Sequence, residues 1–229
     1  MKRSWKVLWL CGVVLLAAVG LLTVGCGGSG NSKLRFVNAS PNAPAFNVLI
    51  DGKTVINGLG FGYGTSYMTV SSGSRMVQFQ PVGTTNNTFA PALSIAGGTN
   101  NTYILRGFLN NINGTLYVDN QTQPASGDAM IRVINAAASV TATDIYLVPS
   151  GTDPTSVPAT ASNVQLGGAT AYINETAGPY VIFFTQPGFP NNIFIDSGTL
   201  TFNSLQNRTV VGLSNPQGGF SSITLPDLN

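Results

Sequence analysis

The sequence contains no histidine and very little charge. Charged residues make up 8% of its 229 residues, whereas an ordinary soluble domain has about 25%. Without histidine the chain cannot form a Ser-His-Asp or Cys-His nucleophile or a His-ligated zinc site. Beyond the three basic residues at 1–6, the other seven lie singly along the chain, so no larger cluster is available to neutralise nucleic-acid phosphates. We therefore expect no nucleic-acid partner, no cofactor and no metal.

The N-terminal 25 residues have the composition of an export signal. A short basic region at 1–6 precedes an apolar stretch at 7–24, and Cys26 follows directly after small residues. This junction resembles the lipobox of bacterial lipoproteins, although Thr23 stands where that pattern prefers leucine. The resemblance implies cleavage before Cys26 and attachment of lipid to its sulfur and new amino group.

The expected location is therefore the cell envelope, with the exported chain anchored through the lipid on Cys26. The lipid would sit in the outer membrane of a Gram-negative cell, and otherwise in the outer leaflet of the cytoplasmic membrane. The alternative is an uncleaved anchor, because the apolar stretch is at the lower limit of about 17–25 residues for a spanning helix.

Cleavage would change the character of the exported part. It removes three of the ten basic residues and none of the eight acidic ones, so the formal net charge falls from +2 to −1. Cys11 leaves with the signal at 1–25, and Cys26 remains as the single thiol, so no disulfide can form within the exported chain. The Gly/Ser-rich segment that follows predicts a flexible tether, which together with the lipidated cysteine spans 26–32.

The chain from residue 33 onward is predicted to be all-β. Short runs rich in Val, Ile, Thr, Tyr and Phe recur about every ten residues between turn-forming clusters, which is the spacing of a β-sandwich. Asp51-Gly52 predicts a tight two-residue hairpin, because both residues tolerate positive φ. The strands predicted in the first half are 34–39, 45–50, 53–56, 65–70, 75–80, 102–108 and 115–119.

Much of the first half recurs in the second half. LRFVNA at 34–39 returns as IRVINA at 131–136. Further matches follow in the same order: TSY at 65–67 with TAY at 170–172, SG at 72–73 with AG at 177–178, and VQFQP at 77–81 with FFTQP at 183–187. We therefore predict two tandem sandwiches of about seven strands each, at 33–122 and 129–229, joined by a linker at 123–128.

The first repeat resembles a known bacterial family, called domain of unknown function 4397. The resemblance is carried by LRFVNASPNAPAFNVLIDG at 34–52 and by YMTVSSG at 67–73. It implies immunoglobulin-like sandwiches in an exported protein, often a lipoprotein, and it implies no reaction and no catalytic residue. The second repeat lacks the Ser-Pro-x-Ala-Pro run and has a Pro/Thr/Ser insertion at 149–161, so its assignment rests on the internal repeat.

Four side chains are candidates for ligand binding. Arg35 and Arg132 occupy the same position in the two repeats, where each guanidinium group would bind a carboxylate or a sugar. The alternative is an arginine that lies along its own sheet and bonds to strand-end carbonyls. Phe61 and Tyr63, in a glycine-rich run, would offer a stacking surface.

The function expected from this composition is binding or support rather than catalysis. A surface built from Ser, Thr, Asn, Gln and Gly suits weak hydrogen bonds to glycans and strand pairing with another protein. We therefore predict a non-catalytic, envelope-anchored binding or structural module with a glycan or envelope protein as partner. Adhesion is one form that this binding would take. The alternatives are a hydrolase of envelope or extracellular polymers that uses two carboxylates, a passive spacer, and a calcium-binding loop.

Overall fold

The computed structural model describes residues 30–228, so the predicted signal and the lipidation of Cys26 lie outside the described residues. No helix in that part of the chain is long and apolar enough to cross a membrane. The strands of the first half are β1 (Asn31–Asn38), β2 (Phe46–Ile50), β3 (Lys53–Leu59), β4 (Met68–Ser71), β5 (Gly73–Pro81), β6 (Ala92–Ile95), β7 (Asn100–Arg106) and β8 (Asn113–Asp119). Those of the second half are β9 (Asp128–Asn135), β10 (Ala142–Pro149), β11 (Ala161–Gln165), β12 (Ile173–Thr176), β13 (Gly178–Gln186), β14 (Phe189–Phe202), β15 (Asn207–Ser214) and β16 (Phe220–Leu228).

Each half forms a β-sandwich of two four-stranded sheets, and the strand order is the same in both. The first sandwich contains the sheets β4-β1-β7-β8 and β3-β2-β5-β6, and the second contains β12-β9-β15-β16 and β11-β10-β13-β14. In each sandwich the first and seventh strands pair in parallel, as β1 with β7 and β9 with β15. The prediction of two tandem all-β sandwiches is therefore confirmed.

The number of strands per sandwich is eight rather than the predicted seven. The strand missing from the prediction is β6, which has four residues and only two buried side chains, Leu93 and Ile95. A polar, proline-containing loop precedes it, so two alternating apolar residues are a weak signal for a strand.

The core of each sandwich follows from the alternation of side chains along its strands. On β5, Val77 and Phe79 are buried while Gln78 and Gln80 are half-exposed, as the sequence pattern predicts. The Phe79 and Tyr103 rings stack at the centre of the first core, with centroids 5.9 Å apart. The second core is built mainly from aliphatic side chains around Phe184 and Phe202.

The two halves differ most at the connection between their second and third strands. In the first sandwich Asp51 and Gly52 have φ values of 50° and 81° and join β2 to β3, which confirms the predicted tight hairpin. In the second sandwich residues 150–160 take its place and include a short 3-10 turn. Val157 and Ala159 of this insertion pack over an apolar cluster on the outer face of β10 and β13.

The predicted alignment of VQFQP with FFTQP is wrong by one residue. Val48 pairs with Phe79 in the first sandwich and Ile145 pairs with Phe184 in the second, so Phe79 is equivalent to Phe184. The pairing of β13 with β14 shifts register on both sides of Thr185, and Thr185 is the extra residue between Phe184 and the Gln-Pro pair. Such a bulge reverses the faces that a simple alignment assigns.

Candidate functional site

The two sandwiches contact each other through the outer faces of the sheets that contain β1 and β9. Residues 34–38 of β1 and 131–135 of β9 are buried without alternation, because one face of each strand lies in its own core and the other faces the opposite sandwich. The repeated LRFVNA and IRVINA motifs are these strands. The apolar part of the contact is formed by Val37, Ala39, Ile104, Ile134, Ala136, Val211, Leu213 and Leu225.

Arg35 is buried at one end of this contact, with 1% of its surface exposed. Its Nε donates to Thr102 Oγ1 at 2.7 Å, within the same sandwich. Its two terminal nitrogens cross to the other sandwich, where Nη1 donates to Pro226 O at 2.7 Å and Nη2 pairs with Asp227. The carboxylate of Asp227 also accepts hydrogen bonds from Tyr172 and Thr209.

Arg132 makes the same set of contacts in the opposite direction. Its Nε donates to Thr209 Oγ1 at 3.0 Å, Nη1 donates to Val118 O at 3.1 Å, and Nη2 pairs with Asp119. Asp119 accepts hydrogen bonds from Tyr67 and Thr102, both at 2.7 Å. Each arginine is therefore neutralised by a carboxylate of the other sandwich, and the two clusters are reciprocal.

A tyrosine ring covers each guanidinium group. Arg35 Cζ lies 4.6 Å from the ring centre of Tyr67, and Arg132 Cζ lies 4.7 Å from that of Tyr172, within cation–π range. Burial, supplemented by the nearby charge of Asp119, raises the pKa of Tyr67. Burial also raises the pKa of Tyr172. Both phenols therefore keep their protons and serve as hydrogen-bond donors to the carboxylates.

The clusters show where the predicted arginine sites lie and which partners the sequence did not reveal. Arg35 and Arg132 are brought to one interface, and their charges are balanced within the chain. They do bond to strand carbonyls, but those carbonyls belong to the opposite sandwich rather than to their own sheet. Their partners Asp119 and Asp227 each lie at the end of the last strand of a repeat, and that shared position was the available signal in the sequence.

Phe61 and Tyr63 have different environments. Phe61 is half-buried and packs against the apolar contact between the sandwiches. Tyr63 is 72% exposed. A cavity of about 570 Å³ lies beside their loop, between the two sandwiches, and its lining includes Arg35, Tyr67 and Leu225.

All eight acidic side chains have partners within the protein. These are Asp51 with Arg75 and the Met76 amide, Asp119 with Arg132, Asp128 with Asn174, Asp144 with the Asn163 and Gly188 amides, Asp153 with the Thr155 amide, Glu175 with Tyr180, Asp196 with the Gly198 amide, and Asp227 with Arg35. Within residues 30–228, no three of the side chains that ligate metals come together.

Comparison with known proteins gives one family match. Residues 32–146 match the family described as "Domain of unknown function (DUF4397)", a region that includes the whole first sandwich from its second residue and ends within β10. No curated protein matches the chain. Among solved structures the chain is similar to "The Bacillus anthracis TIE protein", with 11% identity, a TM-score of 0.25, and coverage of 81% of this chain and 34% of that chain. This chain thus spans about a third of that one, and so weak a likeness carries no information on function.

Proposed function

The chain belongs to the DUF4397 family, and we propose that it is a non-catalytic binding or structural module at the cell envelope, anchored through lipid on Cys26. We further propose that the second sandwich is a divergent second copy of the family domain. The identical strand order of the two sandwiches supports this assignment. The basic and apolar N-terminal segments and the small residues before Cys26 support export and lipidation.

The reciprocal Arg–Asp clusters are the observation that carries the proposal. They use four buried charged side chains to hold two sandwiches in one fixed relation. Breaking a buried pair of this kind costs about 3–5 kcal/mol, because it leaves an uncompensated charge inside the protein. A tandem held in this way presents a constant surface and spacing, which suits a binding or structural role.

The distribution of the carboxylates favours this proposal over a hydrolase. A glycosidase needs two carboxyl groups that face each other across a substrate cleft. In this chain each acidic side chain is engaged with an arginine, a backbone amide or another polar side chain. None is left to act as a general acid or nucleophile without first giving up a structural contact.

The anchor is tested by labelling cells with a radioactive fatty acid. We expect label on the protein and its loss in the Cys26→Ala variant. Cys11→Ala is the matched control, because Cys11 lies within the predicted signal and should leave the label unchanged. Label that persists in Cys26→Ala would refute the lipoprotein assignment.

The binding role is tested by measuring retention of the protein on polysaccharide and protein fractions of the producing cell's envelope. Saturable retention on one fraction is the expected result. Retention on neither fraction, with cooperative unfolding intact, would refute the binding role and leave a structural spacer.

A further inference from the structure

The reciprocal contact creates two equivalent clefts between the sandwiches. Gly62 donates to Asn38 O in the first sandwich as Gly167 donates to Asn135 O in the second. On the facing strand, Pro226 O and Val118 O each accept a hydrogen bond from the arginine of the other sandwich. Because Leu225 precedes Pro226 and Tyr117 precedes Val118, Leu225 and Tyr117 occupy equivalent positions.

The cleft beside Tyr172 is filled by the chain itself. Tyr117 enters it from the first sandwich and donates its hydroxyl to Gly167 O at 2.8 Å. Arg132 Cζ lies 5.5 Å from the centre of the Tyr117 ring. Burial raises the pKa of Tyr117, so its hydroxyl remains a donor. The Arg106 side chain also packs there, directly against Gly167.

The cleft beside Tyr67 has the same framework and no such filling. Leu225 stands where Tyr117 would be, and a cavity of about 570 Å³ remains, lined also by Gly62, Gly64 and Ile223. This volume is within the range of roughly 300–1,000 Å³ of small-ligand sites. Among residues 30–228, none donates a hydrogen bond to Gly62 O, the equivalent of the carbonyl that Tyr117 uses.

We propose that the open cleft binds a tyrosine side chain of a partner polypeptide, whose hydroxyl donates to Gly62 O as that of Tyr117 donates to Gly167 O. The occupant of the equivalent cleft defines the chemistry: an aromatic ring against apolar walls, with a single donor at its tip. Ser66 and Thr224 line the same cleft and are exposed, so they are available to the backbone of an incoming peptide. The inference rests on the proposed binding role and specifies the partner's chemistry.

The test is a titration of the protein with N-acetyl-tyrosinamide, followed through the NMR amide signals of Gly62, Gly64 and Tyr67. We expect saturable shifts at these residues. N-acetyl-phenylalaninamide should bind roughly two- to tenfold more weakly, because it lacks the hydroxyl that donates to Gly62 O. Equal binding of the two compounds, or no saturable shift with either, would overturn the proposal without any variant being needed.

Two matched variants test whether N-acetyl-tyrosinamide binds in the cleft beside Tyr67. Leu225→Tyr supplies the side chain found in the filled cleft, and we expect it to weaken tyrosinamide binding by at least about tenfold through occupation of the cavity. Val118→Tyr adds the same side chain at a position that is 61% exposed, and it should leave binding unchanged. Thermal unfolding of both variants verifies that they are folded. Undiminished binding in folded Leu225→Tyr would refute the site.

Different results would refute the proposed binding role and the proposed tyrosine cleft. Retention on an envelope fraction that is unaffected by Leu225→Tyr would refute the tyrosine cleft and leave the binding role intact. Retention by the unaltered protein that is lost in Leu225→Tyr supports both.

Discussion

Replacing Asp227 by asparagine should destabilise the protein far more than removing a charge from its surface. Asn keeps the size of the side chain but removes the charge that balances Arg35 in the buried cluster. Its amide nitrogen also replaces one of two carboxylate oxygens that both accept hydrogen bonds, one from Arg35 and the other from Tyr172 and Thr209. A buried ion pair broken on one side costs about 3–5 kcal/mol. That is a large share of the roughly 5–15 kcal/mol by which native proteins are stable.

Urea unfolding of paired variants measures this cost. Asp51→Asn is the control, because the Asp51–Arg75 pair is partly exposed, with side-chain exposures of 45% and 29%, and should lose only about 0–1 kcal/mol. The double variant Arg35→Met with Asp227→Leu should recover part of the loss, since it leaves no buried charge, although the Tyr172 and Thr209 hydroxyls lose their acceptor. An Asp227→Asn variant as stable as Asp51→Asn would refute the account of the interface.

Three further predictions concern the stability of the folded protein. Burial raises the pKa of Tyr67 and Tyr172 above the ordinary value of 10.0, so the free energy of unfolding should be constant below pH 10 and fall progressively above it. Urea midpoints measured against pH test this, and unchanged midpoints above pH 10 would contradict it. Gly212→Ala places a Cβ 2.7 Å from a core aromatic carbon and should lower the free energy of unfolding by about 1–3 kcal/mol in thermal unfolding. Gly178→Ala, with no atom nearer than 4.0 Å, should lower it little, and equal losses would contradict the packing. Tyr117→Phe removes one hydrogen bond and should lower the free energy of unfolding by about 0.5–1.5 kcal/mol, and a variant of unchanged stability would show that the bond contributes nothing.

The parts of the fold that the sequence predicts are those set by neighbouring residues. The turn at Asp51-Gly52 needs only two residues that accept positive φ, and the alternation on β5 needs only one buried face. The short β6 and the extra residue Thr185 are not evident from the sequence, because their effect depends on pairing with another strand. Local patterns therefore identify the sandwiches but not every register.

The candidate site depends on contacts that no local pattern contains. Arg35 is recognisable from its repetition at Arg132, but its partner Asp227 lies 192 residues away in the other sandwich. The unfilled cleft is harder still to predict, because it arises from the difference between Leu225 and Tyr117 at equivalent positions. That difference has meaning only once the two sheets are packed face to face.

The two reciprocal clusters also differ in how much of the chain each one requires. Arg132 follows Asp119 by 13 residues, so both partners are present in a chain that extends through β9. Arg35 belongs to the first strand, yet its carboxylate comes from β16, the last strand of the described chain. A chain that stopped before β16 would therefore leave Arg35 without the carboxylate that neutralises it.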